Sequence, residues 1–241
     1  MDNLPILFAA LLTSPAVLAA PAAACQAQSS ATPPRVVELY TSEGCSSCPP
    51  ADKWLSTLKG RSDVLALSFH VTYWDKLGWP DRFASTEFTQ RQYAQAQRDG
   101  SAQVYTPQVV VQGKDWRGWP KLPAVAADAA VPVVMLSREG DAVTATVQPL
   151  ATRSGAQLSA YWAVLEDGHQ TAVRAGENAG EQLRHDHVVR LLKPVAAWPA
   201  GSGTATTLSV TRGDPAFPRR VVLVVTDGAT QRPLQAVALG C

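Results

Sequence analysis

The chain has 241 residues, with 21 Lys and Arg against 20 Asp and Glu, which gives a net charge of +1. This length is enough for two domains and for burial of roughly 70–75 % of the surface of the unfolded chain. Because charges of one sign form no run, nucleic acids and anionic membrane surfaces are not expected partners.

The first 24 residues resemble a secretory signal peptide. An apolar segment over Leu4–Leu12 precedes the small residues Ala22–Ala24, although the first 24 residues include Asp2 and no Lys or Arg. It is too short to span a bilayer, and we find no other transmembrane segment. We therefore expect residues 1–24 to be a signal peptide, residues 25–34 a linker, and the protein to be periplasmic or secreted.

Two cysteines stand at opposite ends of the exported chain. Cys25 would lie at the mature N-terminus, and Cys241 is the last residue. Export permits disulfides and chain termini often lie close together, so we predict a structural disulfide between the two. A lipid anchor on Cys25 is the alternative, but Ala22 occupies the position where a lipoprotein signal usually has leucine.

Two further cysteines follow the first predicted strand, Arg35–Thr41, which is short and apolar. Apolar residues at helical spacing predict a helix over Ala51–Lys59, and Pro49–Pro50 fit only its first turn, so Cys48 is the expected cap. Cys45 then lies against the helix N-terminus, which favours a thiolate. The CxxC motif, Cys45 to Cys48, predicts a redox couple in which the Cys45 thiolate attacks a partner disulfide and Cys48 resolves the mixed disulfide. A static disulfide is the alternative.

A second buried strand is predicted over Asp63–Val71. A right-handed strand-helix-strand crossover brings the carboxyl ends of parallel strands to one edge, so His70 should lie beside Cys45 and Cys48. There His70 would tune the thiolate. Two alternatives are a packed histidine and a third ligand, with both cysteines, for a soft metal such as Cu(I).

The following segment contributes further candidates to this edge. Tyr73–Pro80 is an aromatic loop whose Trp74 could contact a substrate, and Ser85–Arg98 is a predicted helix. Thr106-Pro107 stands just before a third strand, where proline is tolerated. An Ala-rich helix is expected over Lys121–Ala130.

Beyond residue 131 the chain consists of short β-branched runs separated by turn residues, which is typical of an antiparallel sandwich. His185 and His187 would share one face of a strand, and we expect both at the surface. Gly176–Gly180 is predicted as a long turn, with an interaction surface as the alternative. The predicted strands cover residues 132–137, 142–149, 158–166, 169–174, 186–193, 204–212, 219–226 and 233–239.

The order of predicted elements over residues 35–130 resembles the thioredoxin fold, in which a cis-proline loop packs against the CxxC motif. That resemblance implies roles for Cys45 and Cys48 in redox chemistry and for Thr106 and Pro107 in substrate binding. Thioredoxins carry a buried acid where this chain has Leu39. The neighbouring Glu38 should point to the opposite face of the strand.

A fuller match resembles the bacterial secreted thioredoxin-like family catalogued as domain of unknown function 1223. The segments that carry it are Glu38–Asp52, His70–Trp79, Tyr105–Gln108 and Gly176–Gly180. The resemblance implies an α/β thioredoxin-like domain over 35–130, followed by an all-β antiparallel sandwich domain over 131–241. It implies no established reaction.

The sequence therefore predicts an exported thiol-disulfide oxidoreductase that uses Cys45 and Cys48 without a cofactor. Its partner would be an unidentified protein thiol, disulfide or redox protein, or a small thiol. Two other classes stay open: a copper-binding or delivery protein using the thiols and His70, and a non-catalytic secreted binding module with a structural disulfide.

Overall fold

The fold is known from a computed structural model that describes residues 25–124, 130–153 and 155–241. The predicted signal peptide lies outside these residues. The described residues contain two α-helices, α1 (Pro49–Ser56) and α2 (Thr86–Arg98), and a 3₁₀ helix over Thr72–Leu77 precedes α2. The described strands are β1 Gln26–Gln28, β2 Arg35–Thr41, β3 Val64–His70, β4 Gln108–Val111, β5 Lys114–Asp115, β6 Val134–Glu139, β7 Ala142–Val147, β8 Gln157–Glu166, β9 His169–Ala172, β10 Gln182–His185, β11 Val188–Pro199, β12 Thr204–Ser209, β13 Arg219–Asp227 and β14 Pro233–Leu239.

One mixed sheet of eight strands runs through the molecule in the order β14-β13-β8-β11-β3-β2-β4-β5. Strands from the second half of the chain thus extend the sheet that begins with β2 and β3. The junction is short: β11 pairs with β3 in parallel at Val188 and Ser68, and the Ser68 N–H donates to the His187 carbonyl at 2.8 Å.

This sheet shows that the expected fold class is wrong. The protein is mainly β, and it is not a helix-flanked α/β thioredoxin domain followed by a separate sandwich. The error has a physical reason. Local patterns identified most of the strands, but the side-chain pattern of a strand does not reveal which distant strand will form backbone hydrogen bonds with it. The long strand β11 joins β3 to β8, and this junction merges the two predicted units.

A second sheet packs on the part of the large sheet formed by β8, β13 and β14. It has the order β1-β6-β7-β12 and is antiparallel throughout. Alternate residues such as Leu136 of β6 face Trp162 and Leu223 of the large sheet in one buried cluster. Period-two burial of this kind is typical of two packed sheets.

The two α-helices cover opposite faces of the large sheet around β2. Val37 and Leu39 belong to the core cluster that includes Leu55 of α1, whereas Val36 and Tyr40 belong to the cluster of α2. Burial on both faces explains why β2 and β3 are almost continuously apolar. β2 and β3 are parallel and end together, with Thr41 opposite His70.

Several local predictions need correction. The expected linker contains β1, which pairs with β6. Strand β10 was not predicted, because only one of its four residues is apolar. Residues 121–124 of the expected helix Lys121–Ala130 are not helical, and residues 125–129 lie outside the described part of the chain. In the described ranges, no helix is long and apolar enough to cross a membrane.

Candidate functional site

The cysteines of the CxxC motif form a disulfide at the start of α1. Cys48 is the N-cap residue, as predicted, and Pro49 begins the helix, where its missing N–H leaves no bond unmade. The Cys48 N–H donates to the Cys45 carbonyl at 3.1 Å, so the two intervening residues form a tight turn. Both cysteines are 0 % exposed. The disulfide therefore lies beneath other parts of the chain.

Three predicted site residues come together on one side of this disulfide. The Thr106 hydroxyl donates to Cys45 Sγ at 3.2 Å, and Trp74 Nε1 donates to the Thr106 hydroxyl at 2.8 Å. The Thr106-Pro107 peptide bond is cis. The packing is close, because a Cβ atom added to Gly44 would stand 3.0 Å from Trp74 Cβ. Trp74 thus positions the Thr106 hydroxyl that contacts the sulfur.

The segment Gly176–Gly180 covers the other side of the motif. The Glu177 carboxylate accepts from the Ser46 N–H at 3.1 Å and from its hydroxyl at 2.7 Å. The buried Asn178 amide donates to the carbonyls of Glu43 and Cys45 at 2.8 and 2.9 Å. Two side chains from the turn between β9 and β10 therefore hold the CxxC loop in place.

A buried carboxylate, Asp81, connects the loop after β2 with the end of β3. Its Oδ2 atom accepts from the Glu43 N–H at 2.8 Å and lies 2.7 Å from His70 Nδ1. Its Oδ1 atom accepts from the Phe83 N–H at 2.9 Å. Burial alone would raise the pKa of Asp81, but the interaction with His70 and the hydrogen bonds from the Glu43 and Phe83 N–H groups together outweigh it and lower the pKa to about 2. Asp81 is therefore ionised at neutral pH.

Glu43 and His185 extend this buried cluster toward β10. Glu43 Oε1 lies 3.3 Å from His185 Nε2, and Trp79 Nε1 donates to Glu43 Oε2 at 2.8 Å. The His185 ring packs edge-on against His70, with centroids 4.9 Å apart. Burial favours a higher pKa for Glu43, but the interaction with His185 is among those that bring the pKa below its usual value.

Asp52 of α1 is the third carboxyl group of the cluster. It is buried, and the Thr41 hydroxyl donates to its Oδ2 atom at 3.0 Å. Burial raises the pKa of Asp52 to about 6, although His185 and the Thr41 hydroxyl act in the opposite direction. Asp52 therefore changes protonation state much closer to neutral pH than an exposed aspartate.

Glu38 lies on the opposite face of β2, as its register predicted. It accepts from Tyr161 at 2.9 Å and pairs with Arg91 of α2 at 2.6 Å. The Arg91 guanidinium also packs over the Tyr161 ring, 4.4 Å from its centroid. Glu38 therefore ties α2 to the sheet and takes no part in the cluster beneath the disulfide.

The other predicted candidates are distributed differently. A disulfide joins Cys25 to Cys241 across a sequence separation of 216 residues. His185 and His187 are each 2 % exposed, so the prediction of a surface position is wrong for both. Among the described residues, no group of three or more His, Cys, Asp and Glu side chains is placed to hold a metal ion.

Sequence reasoning missed most of the buried cluster. Asp52 had a readable signal, because it follows Cys48 by four residues and so lies on the same helix face. Asp81 and His185 had none, since long-range packing brings them to the site, and Asn178 lies in Gly176–Gly180, a segment that the family resemblance included. Local pattern identified Cys45, Cys48 and the loop containing Trp74, and the resemblance to the thioredoxin fold implied the roles of Thr106 and Pro107.

These elements define a β-rich protein whose central mixed sheet carries a CxxC disulfide at a helix N-terminus, above a buried acid-histidine cluster. The chain belongs to the family described as Protein of unknown function (DUF1223), whose model matches residues 36–226. The predicted membership of the family of domain of unknown function 1223 is thus confirmed. A comparison with curated protein sequences finds no match.

Solved structures include similar folds. A protein of Agrobacterium tumefaciens, known from an X-ray crystal structure, is 28 % identical and aligns with a TM-score of 0.63 over 85 % of this chain and 93 % of its own. HBP35 of Porphyromonas gingivalis aligns with a TM-score of 0.62 over 88 % of this chain and 76 % of its own. At 16 % identity, the second likeness concerns the fold alone.

Proposed function

We propose that this protein performs thiol-disulfide exchange through Cys45 and Cys48, outside the cytoplasm, on a protein or small-molecule thiol. The observation that carries the proposal is the Thr106 hydroxyl 3.2 Å from Cys45 Sγ, at the N-terminus of α1. A hydroxyl donor and a helix N-terminus both stabilise a thiolate at that sulfur. The placement of Thr106 and Pro107 opposite the motif also supports kinship with the thioredoxin-like superfamily.

The exchange starts from the disulfide form. A substrate thiolate attacks Cys45 Sγ, a mixed disulfide forms, and the bond to Cys48 breaks with Cys48 leaving as a thiolate that takes up a proton. A second substrate thiolate then attacks the mixed disulfide and releases Cys45. The substrate dithiol loses two electrons and the cysteine pair gains them. A partner disulfide reoxidises the pair, and the reverse sequence reduces a substrate disulfide.

Burial of the sulfur atoms favours a second candidate function. Cys45 and Cys48 are both 0 % exposed, which suits a structural disulfide in a non-catalytic binding module. Exchange therefore requires that the cover formed by Gly176–Gly180 move. Two disulfides support the proposed export, because such bonds persist in oxidising compartments.

Reduction of insulin by dithiothreitol separates the two functions. We expect the mature wild-type protein to accelerate the reaction, Cys45→Ser to return it to the uncatalysed rate, and Cys48→Ser to accumulate a mixed disulfide at Cys45 that mass spectrometry detects. Each variant retains both Cys25 and Cys241, as the wild type does, so the comparison isolates the CxxC pair. Equal rates for wild type and Cys45→Ser would favour the binding module.

Replacement of Glu177 by alanine is expected to speed the opening of the Cys45–Cys48 disulfide by dithiothreitol a few-fold. The variant removes both hydrogen bonds from Ser46 to the cover, so the CxxC loop is exposed more often. The measurement is the rate of alkylation of the peptide containing residues 45–48. Glu181→Ala, at an exposed position four residues away, is the matched control. Equal rates for the two variants would show that Glu177 does not limit access.

A further inference from the structure

We infer that Asp52 is the proton donor and acceptor for Cys48 during opening and closing of the disulfide, an inference that rests on the proposed thiol-disulfide exchange. When the disulfide opens, the Asp52 carboxyl group transfers its proton to the leaving Cys48 sulfur. When the disulfide closes, the Asp52 carboxylate takes the proton from the attacking Cys48 thiol. No other co-reactant is needed for this step.

The geometry of α1 directs Asp52 toward Cys48. The Asp52 N–H donates to the Cys48 carbonyl at 3.1 Å, so the two residues are one helical turn apart on the same face. Side chains on a helix lean toward its N-terminus, and this tilt carries the Asp52 carboxyl group over the turn that contains Cys48. Both residues are buried, so solvent water has little access to the leaving sulfur.

The surroundings of Asp52 suit a group that exchanges protons. β2 supplies the Thr41 hydroxyl at 3.0 Å, and β10 supplies His185. The loop after β2 contributes Glu43, the segment before α2 contributes Asp81, and His70 at the end of β3 pairs with Asp81. Burial, with smaller contributions from the carboxylates of Asp81 and Glu43, holds the pKa of Asp52 at about 6, which lies near the range where a general acid works best.

The other buried carboxyl groups are less suited to the role. Asp81 has a pKa of about 2 and accepts two backbone N–H groups, so it holds no proton at neutral pH. The pKa of Glu43 is also below its usual value. Glu38 is bonded to Arg91 on the far face of β2. Of these carboxyl groups, Asp52 alone combines a position beside Cys48 with a raised pKa.

The test measures the rate at which dithiothreitol opens the Cys45–Cys48 disulfide between pH 5 and pH 8. Each rate is divided by the fraction of dithiothreitol present as thiolate, which removes the pH dependence of the reagent itself. In the wild type we expect the corrected rate constant to rise about tenfold or more as the pH falls through about 6, because protonated Asp52 assists departure of Cys48. Asp52→Asn should abolish the rise. The exposed Asp141→Asn should keep it.

A second variant tests the same proton without removing the carboxyl group. Thr41→Val deletes the hydroxyl that donates to ionised Asp52, so the midpoint of the profile should move to higher pH. A rise that persists in Asp52→Asn, or a midpoint unmoved in Thr41→Val, would overturn the inference. Because dithiothreitol opens the bond without a protein substrate, the pH profile can stand even if insulin reduction fails, and the two proposals are judged separately.

Discussion

Replacing Asp81 by asparagine is expected to lower the free energy of unfolding at pH 7 by about 2–3 kcal/mol, because the fold lowers the pKa of this carboxyl group from 3.8 to about 2 and each pKa unit corresponds to about 1.4 kcal/mol. Asp81 faces His70 at 2.7 Å, and the side chains of both are 0 % exposed. The amide would also present N–H groups where Asp81 accepts from the backbone of Glu43 or Phe83. Urea denaturation followed by circular dichroism measures the change.

The effect of Asp81→Asn should depend on pH. The folded-state pKa of Asp81 is about 2 and its ordinary value is 3.8, so the carboxylate stabilises the fold fully above pH 4 and loses that contribution as the pH falls through 2. The difference from wild type should therefore shrink in acid. Asp63→Asn, which breaks ion pairs exposed to solvent, is the matched control and should cost much less at pH 7. A loss for Asp81→Asn that is small, or equal at all pH values, would contradict this role.

Removing the bridge between the chain ends is expected to cost about 2–5 kcal/mol in a Cys25→Ser, Cys241→Ser double variant. The bridge closes residues 25–241 into one loop, with a sequence separation of 216 residues. It ties β1, an edge strand of the four-stranded sheet, to β14, an edge strand of the large sheet. Without it the unfolded chain gains conformational freedom, and β1 can fray.

Thermal unfolding and hydrogen exchange at Gln26–Gln28 measure this effect. The wild-type protein provides a control, because reductant should reach the terminal disulfide before the CxxC disulfide: Cys241 is exposed, whereas Cys45 and Cys48 are buried. Brief treatment with reductant should open the terminal bridge first and reproduce the lower melting temperature of the double variant. An unchanged melting temperature in both samples would show that the bridge does not stabilise the fold.

Local sequence patterns located much of the candidate site. Pro49 requires the first turn of a helix, so it identified Cys48 as the cap, and the apolar run of β2 identified the strand before the motif. The same patterns failed for His185, which alternates with exposed residues on a strand yet lies against His70. Alternation shows which residues share a face of a strand, but not whether that face is covered.

The sequence by itself determined the chemistry available to this protein: a CxxC pair at a helix N-terminus, two terminal cysteines and the family. Only the tertiary structure decided that the two predicted units share one sheet, that the turn around Glu177 covers the disulfide, and that Asp52 lies in a buried acid-histidine cluster. The physical reason is how far apart along the chain the interacting residues lie. Helix caps and strand periodicity depend on neighbouring residues, whereas the pairing of β3 with β11 and the surroundings of Ser46 and Asp52 depend on residues more than a hundred positions away.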